Sequence, residues 1–224
     1  MPIIKVIKIT FDTNLKSSEI PKFRGAVVEV VGRQNVAFHN HISDSQFAYS
    51  YPVIQYKTTN GKASIVCIHD GVDEIHEFFT KNTGRVRIGS QFRPLMVESM
   101  KINSFDVGLT STSHRYQIND WLALNEINHI KYQELEGISE KVQFLERMLI
   151  GNLLSFAKGI NWTVGDPIIL KITDIPSEST VKHKGIKFQS FSLSFKTNMY
   201  LPPDIGLGKG ASMGWGTINK PINL

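Results

Sequence analysis

Apolar and polar residues alternate through residues 3–12 (IIKVIKITFD), the period of a half-buried strand. The period then changes. In SSEIPKFRGAVVEVV, Ile20, Phe23, Val27 and Val31 recur at helical spacing, with Ser18 placed to cap and Pro21 tolerable in a first turn. Residues 32–47 are polar and predict a loop. Residues 48–59 (AYSYPVIQYKTT) and 62–70 (KASIVCIHD) predict two strands, joined at Asn60-Gly61 by a hairpin turn. Val72, Ile75, Phe78 and Phe79 share one face of a helix over residues 71–82. RVRIGSQFRPLMVESMKI then returns to strand. The order is β-α-β-β-α-β, a ferredoxin-like unit.

The second half repeats the order loosely. Residues 113–125 are extended and then turn helical. Residues 137–160 predict a long helix with a buried stripe of Ile138, Val142, Leu145, Leu149, Leu153 and Phe156, capped by Ser139. Residues 166–175 and 184–200 predict strands, the second bulged near Gln189-Ser190, where the alternation of Ile186, Phe188, Phe191, Leu193 and Phe195 slips. The expectation is an α+β chain of tandem ferredoxin-like (RRM-like) βαββαβ domains, residues 1–110 and 111–224, with the changeover near residues 108–113.

Composition leaves this picture unchanged and narrows the function. The 224 residues are 41% hydrophobic and 20% charged, enough for an ordinary core. The net charge of +5 suits a polyanion partner without requiring one. The single cysteine, Cys67, lies in an apolar run; one thiol allows no internal disulfide framework and fits a reducing cytosol. No stretch reaches the roughly 20 apolar residues of a membrane helix, and the N-terminus lacks a signal-peptide pattern. The expected location is the cytoplasm.

Two segments carry candidate chemistry. The tail GLGKGASMGWG (residues 206–216) holds five glycines in eleven residues. It is not a Walker A loop, because Gly210 follows Lys209 where a hydroxyl residue is needed. It is not a dinucleotide fingerprint either: Ala211 stands where the third glycine would be, and too little chain follows for the required helix. Two readings remain together, a close-packed turn into a last strand and a loop whose N–H groups, with Lys209, lie against phosphate. Trp215 is either buried or a stacking platform for a base.

The second segment is FHNHISDSQFAYSYP (residues 38–52), with His39 and His41 two apart. Three readings compete: exposed loop histidines, an acid–base pair, and the start of a zinc site that Asp44 or His69 would complete. In an extended segment residues i and i+2 face one side about 6.6 Å apart, a spacing that lets two imidazoles flank one phosphate. Basic residues gather at Arg85, Arg87 and Arg93, at Lys182, His183, Lys184 and Lys187 in a hairpin-like arm, and at Lys209. Phe38, Tyr49 and Tyr51 are candidates to stack splayed bases, although Phe38 also suits a core, and Arg24 on the first helix either meets phosphate or sits in solvent.

The glycine-rich tail resembles the C-terminal loop of the RAMP superfamily, CRISPR-associated RNA-binding proteins of tandem ferredoxin-like fold. The stretch IPKFRGAVVEVVG…AFHNH…YSYPVIQYK resembles a branch of the CRISPR repeat-processing endoribonucleases with an F-H-N-H loop. The resemblance runs the length of the chain. It implies metal-independent cutting of repeat RNA in precursor crRNA, leaving 2′,3′-cyclic phosphate and 5′-hydroxyl ends, with His39 and His41 as the catalytic pair. It implies no cofactor and no bound metal. With the basic arm read above, RNA contacts are expected at Lys182, Lys184 and Lys187, and along the glycine-rich loop at Gly206, Gly208, Lys209, Gly210, Gly214 and Gly216. The implied partners are repeat RNA, other CRISPR effector subunits and a second copy of the chain. The alternative is a non-catalytic RNA-binding subunit of the same superfamily.

Overall fold

Alternation carries β1 (Ile3–Asn14) along the middle of an antiparallel sheet, and Lys16 ends it. There the Lys16 N–H donates to the Glu19 carboxylate at 3.0 Å, starting a short 3₁₀ turn that leads into α1 (Ile20–Val31). Glu19, rather than Ser18, does the capping. Pro21 lies in the first turn, and Gly32, at φ 94°, closes the helix. The computed structural model describes residues 1–39, 51–174, 176–183 and 185–220.

The sheet continues with β2 (Ile54–Thr59) and β3 (Lys62–Ile68), joined through Asn60 and Gly61, both at positive φ as an Asn-Gly hairpin turn requires. β2 begins six residues later than its pattern suggested: residues 48–50 lie outside the described residues, and Tyr51–Val53 run irregularly through Pro52, which lacks a ladder donor. After α2 (Gly71–Lys81), the expected single strand is three. A hairpin of β4 (Arg85–Ile88) and β5 (Gln91–Pro94) turns at Gly89, φ 66°, before β6 (Val97–Asp106) joins the sheet. The strand order β2-β3-β1-β6 is the 4-1-3-2 arrangement of a ferredoxin-like sheet read from the other edge. Phe11, Phe23, Phe78 and Tyr56 form its centre, edge to face at 5.8–6.1 Å between ring centroids, so β1, both helices and β2 share one core.

The chain forms two compact units. The N-terminal unit is Ile3–Phe105 with Ser212–Gly214; the C-terminal unit is Met1–Pro2, Asp106–Ala211 and the chain from Trp215. The latter opens on β7 (Gly108–Trp121) and α3 (Glu126–Gln133), capped by the Asn125 side chain. α4 (Ile138–Gly159) follows. Its buried stripe sits further along than the pattern suggested. Phe144, Leu145, Leu149, Leu153 and Phe156 are inside, Ile138 is 66% exposed, and Ser139 lies within the helix while Glu140 closes the cap on Gly137.

Four strands complete the sheet: β8 (Leu170–Ile172), β9 (Ser177–His183), β10 (Ile186–Tyr200) and β11 (Thr217–Asn219). β8 and β9 pair successively with the two halves of β10, together filling the place of one strand, so β11-β7-β10-β8 repeats the 4-1-3-2 order. The expected bulge in β10 at Gln189-Ser190 is not there: against β9 the register is unbroken from Ile186 to Ser192, and the extra residue between the Phe191 and Leu193 pairings lies on β7, where Asp120 stands at φ 51°. The glycine-rich segment stands in the chain position of a second helix. Among the described residues, no helix is long and apolar enough to cross a membrane.

Candidate RNA-processing site

The turn after α1 ends in a 3₁₀ turn over Val36–Phe38, and His39 follows it. Three bonds fix this point. Tyr56, fully buried in the aromatic core, donates its hydroxyl to the Phe38 carbonyl at 3.1 Å. Arg24 of α1 donates Nη2 to the His39 carbonyl. The His39 ring places Nε2 2.6 Å from the Arg33 carbonyl. A carbonyl only accepts, so Nε2 carries the hydrogen in this arrangement. His41 and Asp44 lie outside the described residues, as does Tyr49. Among the described residues no group of three His, Cys, Asp or Glu side chains could hold a metal ion.

Burial decides the roles of the neighbouring side chains. Phe38 is a core residue at 1% exposure, and Tyr51 is buried with its hydroxyl accepting from Gln55 at 2.9 Å, so neither offers a ring face to a base. Burial pushes the Tyr51 and Tyr56 phenols above the ordinary range, which keeps both protonated and makes Tyr56 a donor rather than a base. The Cys67 thiol is raised by the same cause and is inert. Arg24 is partly buried, which draws its guanidinium down from its usual value, and among the described residues its Nε has no hydrogen-bond partner. Sequence reasoning placed Arg24 on phosphate or in solvent. Nothing in a sequence joins a helix-face arginine to a carbonyl fifteen residues on.

The basic groups separate into different settings. Arg93 pairs with Glu19 at 2.6 Å and also reaches the Asn14 carbonyl; Arg85 lies over the Phe92 ring at 5.2 Å. On the β9–β10 hairpin, Lys182 stands directly opposite Lys187, both exposed, an unfavourable like-charge pair that an anion would relieve. Lys184 lies outside the described residues. Phe188 belongs to the other face of the hairpin, and there Lys209 sets its ammonium 4.3 Å from the ring centroid. Lys209 and the Lys182–Lys187 pair therefore flank a two-stranded arm on opposite faces.

The glycines of the tail divide by task. A Cβ at Gly216, φ 63°, would fall 2.0 Å from the Leu207 carbonyl oxygen. One at Gly208, φ 79°, would meet Trp121 Nε1 at 2.6 Å, where that indole donates to Asn152. Gly206 is wedged against Ala211 and the Trp215 carbonyl, and Gly214, φ 87°, lies against Ile20 and the Tyr56 carbonyl. Backbone N–H groups of Leu207, Lys209, Ala211, Trp215 and Gly216 donate to carbonyls of the same unit. What faces solvent is the stretch Gly208-Lys209-Gly210, with Gly210 at φ 74°. Trp215 is half-buried.

Both halves of the chain match family models: residues 2–106 match the Cas6b N-terminal domain and residues 108–221 the Cas6b C-terminal domain. A crystal structure of Cas6b superposes with a TM-score of 0.88 at 27% identity, covering 98% of this chain and 100% of that one. A second solved structure, described as the CRISPR RNA processing endoribonuclease Cas6b, gives 0.75 at 23% identity over 98% of this chain and 100% of its own. A protein of Methanocaldococcus jannaschii described as uncharacterized is 33% identical over 119 residues, 53% of this chain and 79% of its own length. The fold defines a protein of two ferredoxin-like units, and the two family models together span nearly the whole chain. The chain belongs to the Cas6b family.

Proposed function

We propose that this chain cuts repeat RNA in precursor crRNA by metal-independent acid–base catalysis at His39 and His41. The observation that carries the reading is the anchorage of the loop entry. Tyr56 and Arg24 hold two successive carbonyls, Phe38 and His39, and so fix His39 on the rigid core of a Cas6b-family domain.

RNA brings its own nucleophile. One imidazole takes the proton from the 2′-hydroxyl, O2′ bonds to phosphorus, and the P–O5′ bond breaks as the other imidazole protonates O5′. The products are a 2′,3′-cyclic phosphate and a 5′-hydroxyl. Each histidine supplies about 10²–10⁴-fold in such a step. The repeat is held by the Lys182–Lys187 arm with Lys184, by Lys209, and by the backbone of the solvent-facing stretch Gly208-Lys209-Gly210, while Gly206, Gly214 and Gly216 pack the loop that presents it.

Replacing both histidines with alanine should abolish cutting of repeat RNA and leave binding within a few-fold of the parent. A double variant that cuts at the parental rate would falsify the assignment. A parental chain that binds repeat RNA and never cuts it would identify the non-catalytic subunit instead. Activity should persist in EDTA; activity lost to chelation and restored by zinc would replace the acid–base pair with a metal site.

A further inference from the structure

Gly25 occupies the interior of α1, where glycine is the poorest residue after proline. Its backbone does not require it: Gly25 is helical and is not among the residues at positive φ. Packing among the described residues does not require it either, because a Cβ built there meets none of their atoms within 4 Å. The position is exposed and opens on a cleft of about 430 Å³ lined by Gly25, Val28, Glu29, Gly32, Arg33 and Arg87. The absence of a side chain at Gly25 therefore serves something outside the fold.

The walls of the cleft indicate what that is. Arg33 is exposed, and its guanidinium has no ion-pair or hydrogen-bond partner among the described residues. Among the described residues Arg87 is held by Glu29 alone, a lining residue of the same cleft, at 3.4 Å, a long contact between two half-exposed groups that a phosphate readily displaces. Val28 supplies apolar floor and Gly25 leaves its backbone open to close approach, whereas the Gln34 side chain covers Gly32. Two guanidiniums, an apolar floor and the bare backbone at Gly25 suit one sugar–phosphate of a flexible RNA strand. The cleft also adjoins the proposed cutting loop, since the Arg33 carbonyl is the acceptor for His39 Nε2.

We propose that this cleft beside α1 is an RNA subsite that seats a nucleotide flanking the cut, with Arg33 and Arg87 on its phosphate and Gly25 kept small for its sugar. The inference rests on the RNA-processing reading above.

Gly25→Ala tests it, because folding and binding should move in opposite directions. The variant should melt about 2–4 °C higher, as alanine in an open helical position does. It should bind repeat RNA carrying a 2′-deoxy nucleotide at the cut site about tenfold more weakly, the effect of one added methyl in a fitted site. Its single-turnover rate at saturating RNA should stay near the parent. Arg33→Gln, which keeps the carbonyl that holds His39, should weaken binding and reduce the slope of log K against log salt by about one. Parental affinity in Gly25→Ala and an unchanged salt slope in Arg33→Gln overturn the subsite while leaving the histidine assignment intact. A Gly25→Ala variant with no gain in melting temperature overturns it too, because the glycine then serves folding. A parental chain with no affinity for repeat RNA removes the RNA-processing reading itself.

Discussion

Arg24 ties the catalytic proposal to the fold through a single contact, its bond to the His39 carbonyl. Misplacing a reacting group by an ångström can cost about a hundredfold in rate. Arg24→Gln should therefore slow single-turnover cutting by about tenfold or more while repeat binding changes little. Arg24→Lys, which keeps a donor and a charge, should recover part of the loss. An equal fall in binding would make Arg24 an RNA contact rather than a positioning residue. Tyr56→Phe removes the matching bond to Phe38 and leaves a buried carbonyl short of a donor, worth about 1–3 kcal/mol in urea unfolding. His39 and His41 stand out in sequence because their spacing and flanks are local. The groups that anchor His39 were not legible, because Arg24 and Tyr56 come from different elements and meet only after the aromatic core closes.

Elements show the same division. The α1 stripe of Ile20, Phe23, Val27 and Val31 was legible and is buried throughout. The β4–β5 hairpin was missed, although Gly89-Ser90 between alternating residues is a hairpin signal, because the run continues as strand on both sides. In the glycine-rich segment, the two roles read from sequence fall on different residues: Gly216 and Gly208 are packing positions, and Lys209 is the exposed one. Gly216→Ala should therefore destabilise the chain by about 2–3 kcal/mol in denaturant titration, having both a positive φ and a blocked Cβ. Lys209→Gln should cost at most about 1 kcal/mol, from the lost contact with the Phe188 ring, and equal stability losses in the two would contradict this division. On the β9–β10 arm, Lys182→Gln removes a like-charge pair. It should slightly stabilise the chain while lowering the salt slope of RNA binding by about one. Parental affinity would remove the arm from the interface.

At the scale of the molecule, topology was the most legible property, since both sheets have the 4-1-3-2 order that the element sequence implied. The place of the second helix in the C-terminal unit was not legible, because a glycine-rich run does not announce how it packs. Acid sensitivity is a whole-molecule consequence of one surface pair. Arg93, together with the Lys16 N–H, holds the Glu19 carboxyl down to about 2 against an ordinary 4.5. A depressed carboxylate contributes stability above its unfolded value, and that contribution is lost as pH falls from about 4.5 through about 2. Glu19→Gln should melt below the parent at pH 6 and converge with it near pH 2. A gap that persists at pH 2 would assign the difference to something other than this ionisation.

β10 gives the C-terminal unit a mechanical character. Its inner half lies between β7 and β8, and its outer half is clasped by β9. One uninterrupted strand thus runs from the exposed arm to Phe195 in the core. A load applied to the arm has no joint at which to dissipate and travels as a pull along the backbone. Capture of RNA at the tip should register as slower amide exchange not only near Lys187 but also further along, between Phe191 and Thr197, as in a stiff rod held at one end and gripped at the other.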